Sequence, residues 1–111
     1  MNLKELKAIV ARRESERTEF KRSTGQRTEA AKTVCALANG LGGFVIFGIT
    51  DKGEIVGQRV VTSTLEDVAN ELRRIEPPIV PDVETVALKG GTSVIALRVP
   101  SAREGRITTE R

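Results

Sequence analysis

The sequence predicts an α+β domain of two layers, in which about three helices pack on a mixed, mainly antiparallel sheet. Three observations support this class. Apolar residues run from Phe44 to Ile49, broken only by Gly48, which is typical of a central strand buried on both faces. Segments with helical periodicity lie before and after that strand. Two alternating segments flank Gly90-Gly91, which indicates a hairpin. We place the domain at residues 1–100, followed by a polar tail or truncated final strand at residues 101–111.

The first half of the chain predicts a helix, a short strand and a second helix. Residues 2–13 place apolar side chains on one helical stripe, with Lys and Arg on the opposite side. Residues 18–23 alternate in a way that predicts a strand with Phe20 facing the core. After a polar loop, residues 28–38 carry small apolar side chains at helical spacing. We expect Asn39-Gly40 to end this helix in a left-handed conformation.

The second half predicts a short strand, a third helix and a hairpin. A turn at Asp51-Lys52-Gly53 leads into a strand at residues 54–58. Ser63 and Glu66 have the spacing of a capping box at the start of the third helix, and Pro77-Pro78 lies beyond its end. Residues 83–88 and 93–99 then pair as the hairpin.

Composition excludes several classes of function. The chain has no histidine, which rules out Ser-His and Cys-His dyads and any zinc site with histidine ligands. Cys35 is the only cysteine, so no disulfide forms within the chain. Neither a signal peptide nor a segment of membrane-spanning length is present, and we expect a cytoplasmic protein without a membrane partner. A net charge of +3 is compatible with a nucleic-acid partner.

The candidates for chemistry are carboxylates. Glu14 and Glu19 flank the junction between the first helix and the first strand, and Asp51 follows the buried strand. Neighbouring carboxylates repel one another unless one takes up a proton or a divalent ion such as Mg²⁺ or Mn²⁺ bridges them. Such an ion could activate water for phosphodiester cleavage. Glu14 and Glu19 converge only if the chain turns between them. The alternative is a set of solvated charges in which Glu19 pairs with a neighbouring Lys or Arg, and Lys21 could serve either role.

The glycine run does not indicate a nucleotide-binding loop. The chain has no Walker-type sequence. Gly40, Gly42 and Gly43 follow a helix and precede a strand, whereas a dinucleotide fingerprint needs the reverse order. We expect these glycines to allow a tight reversal and close packing of helix on strand.

Residues 14–21 (ESERTEFK) and 36–57 (ALANGLGGFVIFGITDKGEIVG) together resemble the Schlafen-type AlbA-like domain. Microbial members are often described provisionally as transcriptional regulators, RecG-like helicase relatives or divergent ATPases. The resemblance implies an α+β nucleic-acid-binding module that commonly works as a dimer or pseudo-dimer, here a homodimer. Some members are metal-dependent endoribonucleases with three carboxylates. By motif position these are Glu14, Glu19 and Asp51, with Lys21 as a further catalytic residue.

Three functional hypotheses follow. The leading one is binding of DNA or structured RNA, with phosphate contacts from Arg17, Lys21, Arg22, Arg27 and Lys52. The second is RNA cleavage assisted by Mg²⁺ or Mn²⁺ at the three carboxylates. The third is an ATP-binding regulatory module, which the missing phosphate loop argues against.

Overall fold

A computed structural model describes residues 1–102 and shows three α-helices and an open four-stranded mixed sheet within them, which confirms the α+β class. The predicted tail falls mainly on residues 103–111, which lie outside the described residues. The helices are α1 (Leu3–Ala11), α2 (Arg27–Asn39) and α3 (Thr62–Leu72), and the strands are β1 (Thr18–Lys21), β2 (Gly43–Phe47), β3 (Asp82–Ala87) and β4 (Ser93–Val99).

The sheet has the order β1-β2-β4-β3, so the predicted central strand is an interior strand. β1 pairs with β2 in parallel, with Thr18 opposite Phe44 and Lys21 opposite Phe47. The other two pairings are antiparallel. Strands β1 and β3 form the two edges of the sheet. Since β1 runs parallel to β2 and β4 runs antiparallel to it, the first residues of β1 and β2 and the end of β4 meet at one end of the sheet.

The core has two parts, one on each face of the sheet. Val45 and Phe47 pack with α2 and α3 on one face. Ile46 and Phe20 pack with Leu6 and Val10 of α1 on the other. Phe20 therefore faces the core as predicted. The structure has three layers where two were predicted, because the short helix α1 covers the face of the sheet opposite α2 and α3.

The helix termini show how local chemistry sets the boundaries. The Asn2 side chain accepts the Glu5 N–H at 2.8 Å and the Glu5 carboxylate accepts the Asn2 N–H at 2.9 Å, which closes a capping box on α1. The predicted box at Ser63 is wrong, since α3 begins at Thr62 and the Thr64 hydroxyl accepts the Val61 N–H at 3.1 Å.

Glycines account for two further differences from the predictions. The left-handed residue after α2 is Gly42, at φ +81°, and not Asn39-Gly40, because Gly40 has φ −103°. The predicted strand at 54–58 is reduced to single bridges at Ile55 and Gln58. Positive φ angles at the neighbouring glycines, 53 and 57, interrupt the extended conformation there.

No helix within residues 1–102 is both long enough and apolar enough to span a lipid bilayer.

Candidate functional site

The chain turns sharply between α1 and β1, as the convergence of Glu14 and Glu19 requires. Arg13 ends the helix with a left-handed backbone at φ +68°, and its N–H donates to the Val10 carbonyl at 2.9 Å. Ser15 and Thr18 then exchange two backbone hydrogen bonds at 3.0 and 3.3 Å. This small loop reverses the chain and directs it into the first strand.

Glu14 and Glu19 lie side by side as a result. A Glu14 carboxylate oxygen accepts the Phe20 N–H at 2.8 Å. Partial burial raises the pKa of Glu19 above its usual range, and the charge of Glu14 and a hydrogen bond between the two carboxyl groups raise it further. Lys21 acts in the opposite direction, with its Nζ 3.7 Å from the Glu19 carboxylate. Glu19 therefore takes up a proton more readily than an isolated glutamate.

Glu14 has a structural role that is independent of any chemistry. β1 is an edge strand, and an unpaired edge N–H invites pairing with another chain. The Glu14 carboxylate occupies the Phe20 N–H and so blocks one position of that edge. Within the pair, Glu14 makes a stabilising hydrogen bond, and Glu19 is the carboxyl group with the raised pKa.

Asp51, the third of the predicted acids, follows β2. It is exposed in the loop after β2, and the neighbouring Lys52 carbonyl accepts a hydrogen bond from Arg13 at 3.2 Å. Within residues 1–102, no group of three or more acidic or cysteine side chains is arranged to hold a metal ion. Glu14, Glu19 and Asp51 as ligands of Mg²⁺ or Mn²⁺ therefore stay a prediction, and two of the three carboxyl groups are adjacent.

The predicted phosphate-binding residues have unequal access to a ligand. Lys21 is only 14% exposed and is paired with Glu19. Arg27 is half-buried and donates to the Thr24 carbonyl at 3.0 Å. Arg17, Arg22 and Lys52 are exposed. Exposure alone favours these last three as contacts for a polyanion.

Arg17 is held in one position by the glycine run. Its Nε donates to the Gly42 carbonyl at 3.2 Å and its Nη2 donates to the Leu41 carbonyl at 3.0 Å. Its own carbonyl accepts the Phe44 N–H at 2.8 Å. A Cβ on Gly43 would lie 2.0 Å from the Arg17 carbonyl oxygen, so only glycine allows this approach. The predicted tight reversal therefore fixes a guanidinium at the surface.

Three further arginines lie near the same end of the sheet and were not singled out from the sequence: Arg12, Arg13 and Arg98. The adjacent residues Arg12 and Arg13 at the end of an amphipathic helix could have indicated a positively charged surface from the sequence. Arg98 gave none, because its place over the Phe44 ring depends on the pairing of β4 with β2.

Replacing Glu19 with glutamine should flatten the pH dependence of stability in the acidic range. Since the pKa of Glu19 is raised above 4.5, the folded state binds more protons than the unfolded state just above that pH, and the free energy of unfolding falls as pH rises through this range. The side chain is 36% exposed, so solvent screening limits the effect to about 0.5 kcal/mol.

Urea unfolding from about pH 4 to about pH 7 measures this difference. The exposed Glu54→Gln variant is the control and should run parallel to wild type. If Glu19→Gln also ran parallel to wild type, the pKa of Glu19 would not be raised in the folded protein.

Comparisons with known proteins agree with the fold and motifs. The family described as Schlafen, AlbA_2 matches residues 14–111. Among 18 solved chains that match is the solution NMR structure of an N-terminal domain from Nitrosomonas europaea. Its parent is described provisionally as an ATP-dependent DNA helicase RecG-related protein. The TM-score is 0.68 at 25% identity, over 87% of this chain and 71% of that one. No curated protein shows a significant match.

Proposed function

Because this chain belongs to the Schlafen AlbA_2 family, we propose that it is a nucleic-acid-binding domain that holds its ligand through phosphates. The fold it shares with the N-terminal domain of a DNA helicase-related protein supports the same class of ligand. The observation that carries the proposal is the fixed guanidinium of Arg17, which lies among other exposed arginines. Arginine presents several donors in a rigid plane and is well suited to phosphate oxygens.

Binding should weaken steeply as salt is added. A protein that neutralises phosphates releases condensed counterions, so the logarithm of the binding constant falls linearly with the logarithm of salt concentration. The slope is about −0.9 per phosphate contact on duplex DNA and about −0.7 on a single strand. Fluorescence anisotropy with a labelled duplex and a labelled single strand, in a series of salt concentrations, measures it. Measurable affinity that stays constant over the series would contradict contact through phosphates.

RNA cleavage is a second proposal, and the adjacent Glu14 and Glu19 carboxyl groups favour it. A carboxyl group with a raised pKa is suited to transfer a proton near neutral pH. Since the structure does not assemble three acids, the part of Asp51 and of a divalent ion stays a prediction.

Incubation of purified protein with tRNA and Mn²⁺, beside Glu19→Ala, tests cleavage. We expect product with wild type and none with the variant. Equal cleavage by the two proteins would assign the activity to a contaminant.

Binding of ATP, formation of a homodimer and a cytoplasmic location also stay predictions. Calorimetric titration with ATP measures the first and sedimentation the second.

A further inference from the structure

We propose that the phosphates of the nucleic acid bind in a groove at one end of the sheet, on the α1 side, and not at the Glu19–Lys21 pair. We call it the arginine groove. It has a cavity volume of about 460 Å³ and is lined by Arg12, Arg13, Ser15, Arg17, Thr18, Gly43 and Phe44. The inference rests on the proposed function and gives it a location that the sequence motifs do not indicate.

The residues that line the groove include three cations and no carboxylate. Arg12, Arg13 and Arg17 are exposed, and none of them takes part in the ion pairs found within residues 1–102. Lys21 differs from these arginines, because its ammonium group already forms an ion pair with the Glu19 carboxylate. Three unpaired guanidinium groups around one depression repel each other, and a polyanion relieves the repulsion.

Two of these arginines are held in place before any ligand binds. Arg17 uses two of its five N–H donors on carbonyls of the glycine run. Arg13 uses one donor on the Lys52 carbonyl. The remaining donors are available to phosphate oxygens, and little side-chain entropy is lost when they bind. The hydroxyl groups of Ser15 and Thr18 add neutral donors to the same lining.

Arg98 extends the positive surface along one wall. Its guanidinium lies 4.8 Å from the centroid of the Phe44 ring, which lines the groove. Asp82 is its partner in the register of β3, yet the two form no ion pair within the described residues. A hydrogen bond with the N-terminal ammonium group lowers the pKa of the Glu84 carboxyl, and the charge of Arg98 lowers it further, so Arg98 also acts on a carboxylate. Its link to the groove is the stacking on Phe44.

A purely structural explanation covers only part of this arrangement. Cations at the end of a helix stabilise its partial negative charge, which could account for Arg12 and Arg13 at the end of α1. It does not account for Arg17, which precedes β1 and is fixed by a different loop, or for Arg98 on β4. Two cations after the end of α1, one from the turn before β1 and one from β4 lie towards the same end of the sheet, which indicates a ligand site.

The test compares two double variants that remove the same charge. Arg12→Gln/Arg13→Gln removes two groove cations. Arg59→Gln/Lys89→Gln removes two exposed cations near the opposite end of β4, where Gln58 pairs with Ser93. Either change lowers the net charge by two. Anisotropy titrations of each protein with the labelled duplex and the labelled single strand, across the salt series, give affinity and slope.

The groove variant should bind more weakly and its salt slope should shrink by about 0.9 per lost contact on duplex, or by about 0.7 on a single strand. The control should keep the wild-type slope. The single variant Arg12→Gln is a control for misfolding of the double variant, because the Arg12 side chain donates no hydrogen bond among the described residues. It should show about half the loss of affinity and of salt slope.

The outcomes separate the two proposals. If the groove variants keep wild-type affinity and slope, the groove is not the phosphate site, although the domain still binds nucleic acid. If the control loses as much as the groove variant, net charge and not location governs binding, and the inference is wrong. If wild type binds neither oligonucleotide at low salt, the proposed function itself fails.

Discussion

Replacing Gly43 with alanine is expected to lower the free energy of unfolding by about 3 kcal/mol. The added Cβ would lie 2.0 Å from the Arg17 carbonyl oxygen and 2.8 Å from the Arg17 carbonyl carbon. Both are backbone atoms, so no side-chain rotation relieves the clash. The φ of +154° adds conformational strain for any residue other than glycine. Either β1 or β2 must therefore shift, and the hydrogen bond from the Phe44 N–H to Arg17 weakens with it.

Urea unfolding measures the loss, and Gly90→Ala is the matched control. Gly90 also has a positive φ, at +88°, but a Cβ there meets no atom within 4 Å. Its replacement should cost only about 1 kcal/mol of backbone strain. Equal losses from the two substitutions would mean that the close approach of Gly43 to β1 does not exist. Gly43→Ala should also weaken nucleic-acid binding, because the position of Arg17 depends on the same turn.

The fold was largely predictable because its strongest signals are local. The apolar run ending at Ile49 specifies a strand buried on both faces, and that strand has neighbours on both sides in the sheet. Phe20 alternates with charged neighbours and packs inward for the same reason. The errors arose where several local choices compete. Thr64 caps α3 instead of Ser63, and positive φ at Gly53 and Gly57 interrupts the expected strand.

The candidate site was predictable only where it depends on one short loop. Glu14 and Glu19 required a turn between them, and Ser15 and Thr18 form it. The position of Asp51 depends instead on how the loop after β2 packs, which spacing does not specify.

The arginine groove depends on longer-range contacts still. Arg17 is fixed by carbonyls 24 and 25 residues further along the chain. Arg98 reaches Phe44 through strand pairing. No sequence pattern of period 2 or 3.6 encodes such contacts.

The two phenylalanines of β2 should separate stability from binding. Phe47 is completely buried between the sheet and helices α2 and α3. Phe47→Ala leaves a large cavity there and should lower the free energy of unfolding by about 3–5 kcal/mol. Phe44 lies three residues away, is half-buried and lines the arginine groove. Phe44→Ala should cost less than half as much stability, since less of its ring leaves water on folding.

Binding should show the reverse order at temperatures where both variants are folded. Phe44→Ala removes the ring on which Arg98 rests, so the affinity for a labelled oligonucleotide should fall. Phe47→Ala changes a side chain on the other face of β2 and should leave affinity close to wild type. Circular dichroism during urea unfolding and anisotropy below the transition measure the two properties separately. If Phe44→Ala bound as tightly as wild type, the Arg98–Phe44 wall would not belong to the binding surface, and the phosphates would contact only the three arginines that line the groove.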